Sequence, residues 1–204
     1  MIPQTRPSTR RYLKGEQTRE QILQTARKLF MQRGYHNTSI YDLFERAGIT
    51  KGAFYHHWKT KEDLALTILE DMKRSYETKI FGVLETEGNA RAQIERTLDT
   101  IVELNADPNW HYCRLMATWT AELDPQEEEL GRAVHEIRAR WRGFWHQLLA
   151  RAQAQGDLRA DISPLELSFL MESTICGVNL TGKQERTVGE NSHALHTFRK
   201  LLFT

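Results

Sequence analysis

An all-α fold follows from three observations on the 204-residue sequence. Apolar residues recur at three- and four-residue spacing from near one end of the chain to the other, the signature of amphipathic helices. Gly34, Gly48, Pro108, Pro125 and Gly156 fall where one stripe stops and the next begins. No alternating strand run, internal repeat or low-complexity tract interrupts the series.

The elements can be justified in order. Residues 1–15 carry two prolines and four basic residues (Arg6, Arg10, Arg11, Lys14) with few apolar ones, and are expected to form a disordered basic arm. A helix is expected from about 18 to 33, with Thr18 and Gln21 as a capping box and Ile22, Leu23, Ala26, Leu29 and Phe30 as its stripe. Gly34 stops it. Thr38 is expected to cap a short helix bearing Ile40, Leu43, Phe44 and Ala47, closed by Gly48. Thr50 caps a second short helix, Lys51 to Trp58. Thr60 and Asp63 form the next cap, and Leu64, Ile68, Leu69 and Met72 line a helix reaching about Leu84.

Further stripes follow at Ile94, Leu98, Ile101 and Val102, then at Tyr112, Leu115, Met116, Trp119 and Leu123. Val134, Ile137, Trp141, Phe144, Trp145, Leu148 and Leu149 line a longer helix. Ser163 with Pro164 opens another, carrying Leu167, Leu170, Met171, Thr174, Ile175 and Val178. A polar loop then leads to a last helix with Leu195, Phe198, Leu201 and Leu202.

Composition bounds the class of protein. Hydrophobic residues make up 40% and charged residues 27%, an ordinary balance for a globular chain. No apolar run approaches the roughly 18 residues of a membrane span, and the N-terminus lacks the apolar core of a secretory signal. Two cysteines, Cys113 and Cys176, are too few for a disulfide framework, so a cytoplasmic location is expected. The net charge of +1 conceals an asymmetry: residues 1–63 hold 12 Lys+Arg against 6 Asp+Glu, the remainder 16 against 21. A basic head on an acidic body is the electrostatic pattern of a nucleic-acid binder.

Residues 38–64, TSIYDLFERAGITKGAFYHHWKTKEDL, sharpen that reading. Two short helices around a glycine-containing turn form the helix-turn-helix pattern, whose second helix enters the major groove of DNA N-terminal end first. Lys51 is the candidate for a base contact, since an ammonium can donate to guanine O6 and N7. Gly52 and Ala53 are small enough for close approach, and Ala53 can meet a thymine methyl. Thr50 and Thr38, at helix N-termini, are candidates for phosphate contact. His56 is a further candidate. Phe54 and Trp58 are expected in the core, and adjacent His56 and His57 diverge too far around a helix to chelate a metal.

Ala26, Leu29, Phe30, Gly34 and Tyr35, followed by TSI, AGITKGAFYHHW and KTKEDL, closely resemble the DNA-binding domain of the TetR family of bacterial transcriptional regulators. The resemblance covers about a quarter of the chain. It implies a three-helix helix-turn-helix head on a larger helical ligand-binding and dimerisation domain, about nine helices in all. The corresponding division is a head over residues 16–62 and a body over 63–204. The resemblance also implies phosphate contacts by Tyr55, His57 and Lys61, a homodimer through about 163–181 and 190–203, and a ligand cavity in the body.

The function expected is that of a sequence-specific regulator, a repressor released from a palindromic operator in double-stranded DNA by a small molecule. An apolar or aromatic effector would suit a pocket drawn from Trp110, Cys113, Trp119, Trp141 and Trp145, although plain core packing explains the same aromatics. A second signal is conceivable at Cys113, where His111 and Arg114 are close in sequence and would favour a thiolate able to sense oxidants or electrophiles. A non-specific architectural DNA-binding protein is the competing class. A metal sensor built on His111, Cys113, His193 and His196 is a further alternative. No cofactor or resident metal is expected, and no enzyme: His135 and Glu136 begin a zinc-protease pattern whose second histidine position is Ala139.

Overall fold

The computed structural model describes residues 7–85, 88–107, 112–126, 129–181 and 188–203. Among them are nine α-helices and no strand beyond an isolated bridge between Leu158 and Phe203. The helices are α1 (Pro7–Arg33), α2 (Ile40–Ala47), α3 (Lys51–Tyr55), α4 (Lys61–Lys79), α5 (Ala90–Ala106), α6 (Tyr112–Glu122), α7 (Glu129–Ala154), α8 (Pro164–Thr181) and α9 (Val188–Leu202). A 3-10 turn, Phe81–Glu85, ends the stretch after α4 sooner than the expected helix to Leu84. The chain divides into two compact units, one through Ile68 and one from Leu69 on. None of the described helices is long and apolar enough to cross a membrane.

The first unit differs from expectation at its start. α1 begins at Pro7, so the stretch expected as a disordered arm is helical from there to residue 15, while residues 1–6 lie outside those described. Proline suits a first helical position, and the Arg, Leu, Lys and Gln residues that follow are good helix formers. Thr18 and Gln21 therefore lie inside α1 and form no cap. Gln21 Nε2 instead donates to the carbonyl of Ala47 at 2.7 Å, meeting one of the open carbonyls at the end of α2. Gly34, with φ 85°, closes α1.

Capping then fixes the short elements. Ser39, not Thr38, is the N-cap of α2: its hydroxyl accepts from Asp42 N–H, and the Asp42 carboxylate accepts from Ser39 N–H at 2.8 Å. Gly48, at φ 60°, supplies the left-handed residue after α2, the conformation that turns the chain into α3. Thr50 caps α3 through Ala53 N–H at 3.2 Å, and Thr60 with Asp63 caps α4 reciprocally, as the spacing predicts. Ile22, Leu23, Phe30, Leu43, Phe54, Leu64 and Ile68 form the unit's buried core.

In the second unit α7 and α8 pack along each other, with α5 against α7 and α9, and α6 against α7 and α8. Asn89 caps α5, Ser163 and Glu166 form a reciprocal box at the start of α8, and Gly156 (φ 82°) ends α7. Trp119, Trp145, Leu115, Ile94, Leu148 and Met171 are fully buried. Aromatic rings interlock at one end of that core. Trp141 meets Tyr76 edge-on at 5.0 Å and Phe81 at 5.2 Å, and Phe144 meets Trp145 at 5.0 Å.

Candidate functional site

α3 has five residues, far below the roughly 12–15 that an isolated helix needs to hold together in water. Its stability comes from one face. Phe54 is fully buried, edge-on to Phe44 at 5.6 Å and tilted against Trp58 at 5.9 Å, and burying such a ring contributes about 1.5–3 kcal/mol. Trp58 Nε1 donates to Thr67 Oγ1 at 2.9 Å, and the Arg19 guanidinium lies 5.6 Å from the Trp58 ring. Both aromatics are thus core residues, as their positions in the stripe predict.

The opposite face is open. Thr50, Lys51, Gly52, Tyr55 and His56 are exposed, and Ala53 and His57 are half-buried. The Lys51 ammonium lies 5.8 Å from the Tyr55 ring centroid, so the two side chains share one surface. Burial, then the charges of His56 and Arg19, hold the His57 imidazole below its ordinary value, against an opposing pull from Glu16. In the free protein this environment disfavours the charged imidazole, and either ring form retains an N–H that can donate to phosphate.

Two residues expected to meet phosphate, Thr38 and Lys61, are engaged within the protein, and the expected cap of α2 by Thr38 is not formed. Thr38 is fully buried and its hydroxyl donates to the Gly34 carbonyl at 2.7 Å, so it neither caps α2 nor presents its side chain outward. Lys61 Nζ donates to the carbonyls of Tyr35 and Thr38 at 2.8 and 3.0 Å and lies 4.1 Å from the Tyr35 ring. It pins the start of α4 to the loop between α1 and α2. Lys61→Ala is accordingly expected to destabilise the protein by about 1.5 kcal/mol, since it strips two carbonyls of a charged donor; thermal unfolding without DNA is the measurement, and an unchanged midpoint would return Lys61 to a purely phosphate-facing role.

Sequence reasoning missed Ser39 and Tyr41. Tyr41 is 74% exposed on the first turn of α2, beside the cap and off the buried stripe. Its position between Ile40 and Leu43, out of phase with the apolar period, was the available signal.

In the second unit a small cavity is lined by Tyr76, Cys113, Met116, Arg138, Trp141 and Trp145, with Glu172, Ile175 and Cys176 completing it. Of the residues expected around a ligand, Cys113, Trp141 and Trp145 meet here, Trp119 is fully buried and is not in the lining, and Trp110 lies outside the described residues. Cys113 is buried and hydrogen-bonded with the Tyr76 phenol, whose pKa burial pushes well up. Burial, then Glu172, raises the Cys176 thiol, with Arg138 opposing. His111, proposed as the neighbour activating Cys113, lies outside the described residues.

His193 and His196 are exposed on α9 and line a different groove with Asp99 and Arg199. His196 Nδ1 lies 3.1 Å from Arg199 Nη2, and Arg199 donates to Asp99 at 2.9 Å. Among the described residues no group of three or more His, Cys, Asp or Glu is arranged to hold a metal ion.

A capped short helix presenting Lys51, Tyr55 and His56 above an aromatic core, preceded by α2 and a left-handed glycine, defines a helix-turn-helix DNA-binding protein. Residues 22–68 match the family model described as bacterial regulatory proteins, tetR family, and residues 88–198 match the tetracyclin repressor-like C-terminal domain. The chain belongs to the TetR family of bacterial transcriptional regulators. It is similar to the transcriptional repressor DhaR of Mycobacterium sp. (strain GP1), 22% identical with 91% of this chain and 90% of that protein covered. It is also similar to the repressor NemR of Escherichia coli, 24% identical with 92% and 94% covered. Among solved structures, a TetR-family regulator from Agrobacterium tumefaciens shares the fold at TM-score 0.80, with 19% identity over 93% of this chain and all of that one (100%). AibR in complex with isovaleryl coenzyme A and operator DNA shares it at TM-score 0.74, with 19% identity over 91% and 98%.

Proposed function

We propose that this regulator is a homodimeric repressor that binds a palindromic operator in the cytoplasm and is released from it by a small molecule held in the second unit. The observation that carries the reading is the division of labour in α3: Phe54 and Trp58 hold the helix from one side, and Lys51, Gly52, Ala53 and Tyr55 stand open on the other. Thr50, His56 and His57 flank that face. Tyr41 adds an exposed phenol donor on the first turn of α2. Similarity to named repressors, and a neighbour that was crystallised with both a ligand and operator DNA, support the same reading.

Dimerisation through α8 and α9 is supported by large apolar side chains that are exposed in the single chain. Leu165, Phe169, Leu170 and Leu180 on α8 and Leu201 on α9 are all exposed. Clusters of exposed large apolar side chains mark interaction surfaces. The cavity beside α6, α7 and α8 supports the ligand role. Ligand would release DNA only by binding better to a form whose heads no longer match the operator.

Selection of tight sites from a random DNA pool tests the proposal. Enrichment of a palindrome with fixed half-site spacing is expected; uniform, salt-sensitive binding with no enriched site would instead indicate an architectural DNA-binding protein. On the selected site, Lys51→Ala should cost about 1–3 kcal/mol and flatten the preference at one base pair of each half-site. Equal losses on every operator variant would show that Lys51 meets phosphate instead.

A further inference from the structure

The polar groups around the cavity of the second unit are out of balance, with more donors than acceptors. Glu172 on α8 is its carboxylate, only 10% exposed, and both of its oxygens are engaged. Oε1 accepts from Arg138 Nε at 2.8 Å, and Oε2 accepts from Arg142 Nε and Nη2 at 3.0 and 2.8 Å. Two guanidinium groups on one carboxylate leave one positive charge in excess. Arg142 is directed elsewhere as well, 4.2 Å from the Phe169 ring centroid. Arg138, which lines the cavity, gives its Nε to Glu172; its side chain is 31% exposed, and its terminal amino groups have no protein acceptor among the described residues and so are left to solvent or a ligand. Trp145 also lines it, is fully buried, and its Nε1–H has no acceptor among the described residues. Buried donors are nearly always paired in native proteins, so one left open beside a cavity points to a missing acceptor.

From this imbalance we propose that the cavity takes a compact apolar acid, with an aromatic or branched hydrocarbon body against Trp141, Tyr76 and Ile175 and a carboxylate accepting from Arg138 and Trp145. The assignment rests on the effector reading above and adds the chemical class of the effector. A carboxylate is the acceptor that a guanidinium edge matches best, in charge and in geometry. A cation would find the aromatic walls but no unspent negative charge, because Glu172 is already neutralised, and it would be repelled by Arg138. A neutral hydrocarbon would leave the Trp145 N–H without an acceptor.

The free space is about 30 Å³, close to the volume of one water molecule. The acid therefore fits only a form in which the wall has yielded, and Met116, unbranched and adaptable, is the lining residue best able to yield. Stronger binding to the widened form than to this one is the difference in affinity that an allosteric ligand requires.

The test uses the full-length protein with benzoate and phenylacetate as acids, benzyl alcohol as a neutral isostere, and benzyltrimethylammonium as a cation. Binding is read by tryptophan fluorescence and thermal shift, and operator affinity by titration of labelled DNA. Saturable binding of an acid, at least about tenfold tighter than the alcohol and with the cation weaker still, is the expected result. Arg138→Gln should erase the preference of acid over alcohol, Arg138→Lys should keep part of it, and Trp145→Phe, which retains the ring without its N–H, should weaken the acid alone by several-fold. Should Arg138→Gln unfold, the Lys and Phe variants carry the same comparison. Failure of both acids to bind, tighter binding of the cation, or an acid preference intact in the Arg138 variants would overturn the assignment. Release of operator by the cation or the alcohol would overturn the acid class and leave the effector reading standing. Acid binding without any change in operator affinity would do the reverse.

Discussion

If the proposed dimer forms through α8 and α9, Phe169→Asp is expected to yield a monomer and to lower affinity for a palindromic operator by about a thousandfold. The size follows from geometry. One head binding a half-site gains little alone, and the second head binds as if at millimolar concentration once the first is docked. Phe169 is 46% exposed and lies four residues from Leu165 on α8, so the two form one apolar ridge, and Leu180 continues along the same helix. An aspartate there places a charge where a partner would have to desolvate it, a penalty that nearby Arg142, already paired with Glu172, offsets only in part. Light scattering on a sizing column and operator titration decide the matter. A dimer that persists with full affinity would place the interface elsewhere.

Gly131→Ala lowers stability by about 3 kcal/mol, the upper end of the usual cost of overpacking. Gly131 is buried in the first turn of α7, close against the backbone of Asp124 and Pro125 that follows α6. A Cβ at that position would lie 2.3 Å from the Asp124 carbonyl oxygen, 2.7 Å from its carbon and 3.2 Å from Pro125 N. These are backbone atoms, so no side-chain rotation relieves the clash; α7 or the loop has to move. Against a total stability of about 5–15 kcal/mol the loss is large. Urea unfolding of both proteins measures it, and a difference below about 0.5 kcal/mol, the range of neutral surface substitutions, would show that the close approach is not there.

The helix-turn-helix was legible because its chemistry is local. Gly48, Thr50, Thr60 and Asp63 act on neighbours within three or four residues, and the structure places each as its spacing predicts. The errors arise where two local readings compete or where the partner is distant. Thr38 and Ser39 are adjacent hydroxyl residues, and only Asp42, three residues after Ser39, separates them. Thr18 and Gln21 imitate a cap at a site inside α1, because the true partner of Gln21 is the Ala47 carbonyl, 26 residues away. Lys61 reads as a cation free for phosphate, yet its partners are carbonyls 23 and 26 residues earlier.

The cavity was partly legible. Trp141 and Trp145 stand in an aromatic stripe, but a stripe does not distinguish a ring that fills the core from one that lines a space. Trp119 shows the difference, being fully buried away from the cavity. Glu172 was the overlooked signal: a carboxylate among Ser168, Met171, Ile175 and Val178 on the buried side of α8 needs cationic partners. Arg138 and Arg142, 34 and 30 residues earlier, supply them.

The five-residue helix α3 has a consequence for how such a regulator can be re-coded. Folding information sits in Thr50, Phe54 and Trp58, while the residues proposed to read the bases are Lys51, Gly52 and Ala53. Because the two sets do not overlap, the reading letters can be rewritten, by evolution or at the bench, while the spelling that shapes the helix stays the same.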